Sequence, residues 1–226
     1  MNAAIHTRNQ PRPVVLGRLL HSISQPLTTL HCALEVSLVR DHRGDTSDVA
    51  LALEQTQRLI ESFRLVREYL EVEQGLPPGP EIQVRPILQD VVNELSKRAR
   101  SNSLRLEALG ALRAVLRVHR EWIHRAFTYL IEPVLEGADR NARVRLVLDE
   151  SGSRSRLRLV VSSAAGQKLR RAFTPEQQVK IAIAQLALES AGARLEVHKN
   201  KISGFTVLFP ASAHAGRPGA AHRAES

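Results

Sequence analysis

The sequence predicts an α+β chain in two parts, a long antiparallel two-helix hairpin and then a sheet layered with helices. Three observations carry that reading. Residues 14–75 hold two leucine-rich stretches whose apolar positions recur in steps of three and four, the period of helices that pack along a seam. Leu76-Pro77-Pro78-Gly79-Pro80 then makes a stiff interruption, so residues 76–80 read as a linker. From residue 81 to 210 short alternating runs of strand type are interleaved with amphipathic helical runs, the texture of a sheet covered by helices.

Composition narrows the setting. Of 226 residues, 43% are hydrophobic and 24% charged, ordinary for a globular chain able to bury a core. Cys32 is the single cysteine, so no intrachain disulfide forms and a reducing cytoplasm is expected. No apolar run approaches the roughly 20 residues that span a bilayer, and Met1 to Pro13 lacks the apolar core of a signal peptide; no membrane partner is expected. The net charge of +9 leaves nucleic acid, a membrane surface or an acidic protein open. Aromatics make up only 4%, and no helix-turn-helix or aromatic-basic module stands out, which argues against nucleic acid. The arginines are scattered, so a basic surface without a dedicated role and a docking face for an acidic partner both fit.

In chain order, residues 1–13 read as a disordered N-terminus. The first helix is expected from Val14 to about Arg40, with apolar residues at Leu16, Leu20, Ile23, Leu27, Leu30, Leu34 and Leu38. His21 follows the seam residue Leu20 and so lies about 100° further round, beside the stripe and open to solvent or a partner. Pro26 lacks an amide hydrogen and crowds the carbonyl of Ser22, which predicts a bend just past the histidine. After a turn at residues 41–45, with Asp45, Thr46 or Ser47 as cap, the second helix carries Val49, Leu53, Thr56, Ile60, Phe63, Leu70 and, near Phe63, Leu65 or Val66, and ends near Gly75. One hairpin buries too little of such a seam, so two copies are expected to pair as a four-helix bundle, a homodimer.

Past the linker, Glu81 to Val84 reads as a strand, and Pro86 to about Ser101 as a helix. Leu104 to Leu109 and Ala114 to His119 read as strands, and Glu121 to Ala138 as a helix that contains Pro133. Val144 to Leu148 and Leu157 to Val161 alternate with arginines, like an antiparallel pair with one wet face. Thr174 to Ser190 is a helix with a Thr-Pro-Glu start and a stop before Gly192. Leu195 to Val197 and Phe205 to Phe209 close an antiparallel or mixed sheet with helices on one face. Residues 211–226 read as a disordered tail.

With this order established, the chain resembles a sensor histidine kinase over roughly residues 14–210. Residues 14–75 look like its dimerisation and phosphoacceptor hairpin, and residues 81–210 like a degenerate ATPase domain of the GHKL type. His21-Ser22-Ile23-Ser24-Gln25-Pro26-Leu27 matches the H-box, a histidine and an acid followed after three positions by Pro-Leu. Arg67 to Gly75 is similar to the end of the family's second helix. Ala191 to Val197 and Gly204 to Pro210 look like the closing strands of the GHKL fold.

The nucleotide boxes depart from the family. Its N-box carries two asparagines four residues apart, the second of which holds the Mg²⁺ of ATP; here Tyr129 and Pro133 stand at those positions. Proline offers no ligand and is expected to break the helix locally. The strand ending Val160 to Gly166 lacks the aspartate that binds adenine. Where the family has its glycine-rich phosphate loop, this chain offers Gln178-Val179-Lys180-Ile181, and little chain is left between Gly166 and Thr174 for a lid. The resemblance with these losses implies no bound ATP, no cofactor and no resident metal.

What remains is His21 as a phosphoacceptor, with Ser22, Gln25 and Pro26 around it. A neutral imidazole is a nucleophile, but Ser22 replaces the acid that would orient it toward ATP. A phosphoaspartate on a response-regulator receiver is another donor, since the receiver brings its own Mg²⁺ and the imidazole need only be in line. The implied function is a histidine phosphotransferase in a two-component phosphorelay. A scaffold that binds a receiver or a histidine kinase without carrying phosphate, and a divergent kinase, are the alternatives. A surface histidine in a dimerisation hairpin is the plainest one.

Overall fold

A computed structural model describes residues 12–39, 46–138, 141–151, 154–162, 173–198 and 204–210. Helices α1 (Arg12–Val39) and α2 (Thr46–Glu73) form the hairpin. The elements that follow are β1 (Glu81–Gln83), α3 (Val84–Ser101), β2 (Arg105–Gly110), β3 (Val115–Arg117), α4 (Arg120–Gly137), β4 (Arg143–Ser151), β5 (Arg154–Ser162), α5 (Pro175–Ser190), β6 (Arg194–His198) and β7 (Gly204–Leu208). Arg12 and Pro13 thus belong to a helix rather than to the N-terminal segment expected to be disordered; a proline in the first turn sacrifices no helical hydrogen bond. Residues 1–11, the turn at 40–45 and the tail 211–226 lie outside the described residues.

The leucine seam does not bury itself within the chain. Leu16, Leu20, Leu27 and Leu34 of α1 are exposed, as are Leu53, Ile60, Phe63 and Leu70 of α2. The buried stripe is one residue back: Val15, Leu19, Pro26 and Ala33 on α1, with Leu59, Ser62, Leu65, Glu68, Tyr69 and Val72 on α2. This second stripe mixes small and polar residues. α1 runs as one helix through Pro26. Pro26 has no amide hydrogen to give the Ser22 carbonyl, and that oxygen instead accepts a hydrogen bond from Ser62 Oγ on α2, at 3.3 Å.

The sheet is mixed, in the order β2-β4-β5-β7-β6, with β2 and β4 parallel and the other neighbours antiparallel. The stretch read as a strand from Ala114 to His119 does not join it. Its core, β3, pairs antiparallel with β1 in a separate two-stranded ladder, and Val84 begins α3 instead of ending β1. The linker docks against this small ladder. Val118 N donates to the Pro80 carbonyl at 3.3 Å, and a Cβ on Gly79 would fall 2.3 Å from the carbonyl carbon of Val118. Only glycine fits there.

Val144, Leu146, Leu148 and Leu157 point to the buried side of the sheet, under α3, α4 and α5. α4 runs unbroken through Pro133, contrary to the local break expected there. An interior proline costs about 3 kcal/mol or more. The same helix buries Ile123, Phe127, Leu130, Ile131, Val134 and Leu135, each worth about 1.5–3 kcal/mol, so packing outweighs the lost bond. α5 begins with a capping box: Gln177 N donates to Thr174 Oγ1 and Thr174 N to Gln177 Oε1. It ends at Gly192 in the left-handed region, φ +82°, where the Ala193 amide reaches back to Leu188 O at 2.8 Å.

Candidate functional site

His21 lies in the turn of α1 that crosses Ser62 of α2. Its side chain is exposed, and no described residue bonds or pairs with its imidazole. Leu20 beside it is 66% exposed. The hydroxyls around it are turned onto the helix itself: Ser22 Oγ donates to Leu19 O and Ser24 Oγ to Leu20 O, both at 2.8 Å. Ser22 therefore spends its one donor on the backbone and supplies no acid at the position next to the histidine. Gln25 is exposed, its carbonyl accepting from Thr29 Oγ1, and the Pro26 ring is buried toward α2. The structure thus leaves an open nucleophile on a bonded, regular helix face.

The residues at the nucleotide-box positions are placed differently. The base of the hairpin packs against α4 and α5, and Glu68 of α2, only 1% exposed, is driven into that junction. Tyr129 Oη donates to Glu68 Oε2 at 2.6 Å. Arg125 Nη1 stands 3.1 Å from Glu68 Oε1, and Arg64 Nε 3.9 Å. A buried carboxylate survives only when paired and bonded, and here a phenol and two guanidiniums supply both. Burial first, then the bond to Glu68 and its charge, raise the Tyr129 pKa above the ordinary tyrosine value.

Lys180 of α5 lies 5.8 Å from the centre of the Tyr129 ring. It pairs with Glu176 at 2.9 Å and, across to α2, with Glu61 at 3.8 Å. Burial would lower its pKa, but Glu176, Glu132 and Glu61 outweigh that, and the ammonium is held above its usual value. Gln178 Nε2 donates to Phe173 O at 2.6 Å. On α4, Glu132 is bonded to Arg98, and Glu136 accepts from Gln177 at 2.6 Å.

At these positions the buried Pro133 offers no side-chain ligand, Tyr129 faces Glu68, and Glu132 and Glu136 of α4 are engaged by Arg98 and Gln177. Between Phe127, Leu130 and Ile131 of α4 and Leu146, Leu157 and Phe205 of the sheet there is a void of about 10 Å³, room for about one water. Among the described residues no three His, Cys, Asp or Glu side chains gather as a metal would require. The strand end at residues 163–166 and most of the segment leading to Thr174 lie outside the described residues. The imidazoles of His31 and His124 stand near carboxylates, Glu35 at 3.6 Å and Glu94 at 3.4 Å.

Sequence reasoning singled out His21 and its neighbours and did not single out Glu61, Arg64, Glu68 or Arg125. The signal for Glu68 was present. It lies in phase with Leu65, Tyr69 and Val72, on a stripe where a lone carboxylate needs a partner.

The sequence matches no family model and no curated protein. Among solved structures the chain is similar to the Acinetobacter baumannii histidine kinase AdeS, at 15% identity and a TM-score of 0.63, covering 85% of this chain and 98% of that one. It is also similar to the histidine kinase ThkA in complex with the response regulator protein TrrA, at 15% identity and a TM-score of 0.65, covering 87% and 61%. A third is full-length ShkA in complex with AMPPNP, at 13% identity and a TM-score of 0.53, covering 87% and 45%. The chain has a histidine-kinase-like fold, a helical hairpin joined to a GHKL-like α/β domain. No helix among the described residues is long and apolar enough to cross a membrane.

Proposed function

We propose that this chain is a cytoplasmic histidine phosphotransferase of a two-component phosphorelay, exchanging phosphoryl groups between His21 and receiver aspartates without binding ATP. The observation that carries the reading is the exposed, unengaged imidazole of His21 on a chain whose nucleotide-box residues are tied to one another. In the forward step the unprotonated ring nitrogen attacks the phosphorus of the receiver's aspartyl phosphate. The N–P bond forms as the P–O bond breaks, the aspartate leaves as a carboxylate, and the ring proton stays on the other nitrogen. The receiver supplies its own Mg²⁺. ThkA, whose fold this chain shares, is described in complex with a response regulator, which supports a receiver as the partner.

The test is direct. Receivers charged with labelled acetyl phosphate are mixed with the full chain, and label is expected to move onto it and to be absent in His21→Ala. Absence of transfer from every member of a broad receiver panel overturns the proposal, as does labelling of the wild type by Mg-ATP alone. Transfer that persists in His21→Ala moves the site elsewhere.

The exposed seam supports the second part of the reading, a homodimer that closes a four-helix bundle. Sedimentation is expected to give a dimer for the wild type and a monomer for Leu20→Glu, because a carboxylate there would be buried unpaired. A wild-type monomer at micromolar concentration sinks it.

A further inference from the structure

We propose that the open face of the five-stranded sheet is a docking surface for an acidic protein segment, separate from His21. The alternation that sends Val144, Leu146 and Leu157 inward sends arginines outward. Arg105 stands opposite Arg143. Arg145 lies between Glu107 and Val160. Leu109, Val147, Arg158, Thr206 and Glu196 form the next row, and Asp149, Arg156, Leu208 and Arg194 the one after. The described helices that touch the sheet pack on its other side. Six arginines against three carboxylates, on strands about 4.8 Å apart, make this a positively charged plane.

Two details point to a carboxylate-bearing occupant. Among the described residues Arg145 Nε has no hydrogen-bond acceptor; Glu107 Oε2, at 3.9 Å, is too far to bond. The guanidinium is thus not hydrogen-bonded by its neighbouring carboxylate, and the side chain, 38% exposed, can meet an incoming carboxylate at its outer edge. Arg105 and Arg156 are exposed, and their guanidiniums engage no described residue.

The chain does not carry the occupant itself. None of its segments outside the described residues has a net negative charge, and a second copy brings +9. A nucleic acid fits less well than a protein. Glu107, Asp149 and Glu196 would face its phosphates, these rows hold no aromatic ring for stacking, and Leu109 at 45% exposure, next to Val147, with Val160 and Leu208 further across the face, offers apolar contact that suits a protein. An acidic segment with a few apolar side chains is the complement.

The experiment measures binding of the full chain to a short fluorescent poly-L-glutamate and, separately, to a DNA duplex, at low and physiological salt. R105E/R156E is expected to weaken poly-glutamate binding about tenfold or more, since it sets like charges face to face. K97E/R100E on the exposed side of α3 changes the net charge equally and is expected to stay within about twofold of wild type. R105Q/R156Q, which keeps the face neutral, is expected to fall between and serves if the reversal does not fold. Equal weakening by both reversals, tighter binding of the duplex than of poly-glutamate, or no binding at low salt each overturns the proposal. Phosphoryl labelling of His21 is not a readout here, so the two proposals fail separately.

Discussion

Two regions of one hairpin, a turn or so apart, treat their polar groups in opposite ways. On the outer face of α1 the imidazole of His21 is left in water while the hydroxyls near it are bonded to backbone. At the junction of α2 with α4 and α5, every charged group named above has found a partner within the chain: Glu68 with Tyr129 and Arg125, Lys180 with Glu176 and Glu61. Self-satisfied polar clusters hold structure; an unsatisfied nucleophile on a rigid surface is available for chemistry. On the proposed function, the contrast assigns reactivity to the hairpin and stability to the junction.

Substitutions at the two regions should therefore separate. Glu68→Ala leaves Tyr129 Oη and Arg125 without their common acceptor. Breaking a buried pair from one side costs about 3–5 kcal/mol, and the lower end is expected because Arg125 is partly in water; urea denaturation measures it. A loss below about 1 kcal/mol would mean the junction is not the stabilising region.

Tyr129→Phe is the milder cut, removing one hydrogen bond to a carboxylate at about 1.5–3 kcal/mol. It also carries a pH signature. The folded state holds the phenol proton more tightly than the unfolded chain does, so the stability from Tyr129 is whole below about pH 10. It is lost as pH rises toward the raised folded value. The wild type is expected to lose Tm more steeply than Tyr129→Phe above that pH, and parallel curves would remove Tyr129 from the account.

Smallest of all is the stability effect on the outer face. Leu20→Glu is expected to change monomer stability by no more than about 0.5 kcal/mol, measured under conditions where both proteins are monomeric, while it abolishes pairing.

The leucine pattern made the hairpin legible and misled about its interior. Leu16, Leu20 and Leu27 announce a helix by period, but period does not say which neighbour covers the stripe. The chain fills its own interior with Leu19 and with Val15, Pro26, Ala33 and Ser62, the last four too small or too polar to stand out beside leucines. In the second part, alternation located β4 and β5 and the capping residues located α5, because those signals are local. The pairing of β3 with β1 depends on contacts between distant parts of the chain. So does the placement of Glu68 under Tyr129, and neither has a local signature. His21 stands out by its distance to Pro26-Leu27; the network around Tyr129 and Glu68 has no such local signal.

Gly79 has a mechanical consequence. Its backbone lies so close to Val118 that no side chain fits, and the next carbonyl is bonded to that residue. The linker is fixed at this point. Torque that reaches Gly79 would enter the second half at the β1–β3 ladder and at α3, which begins where β1 ends.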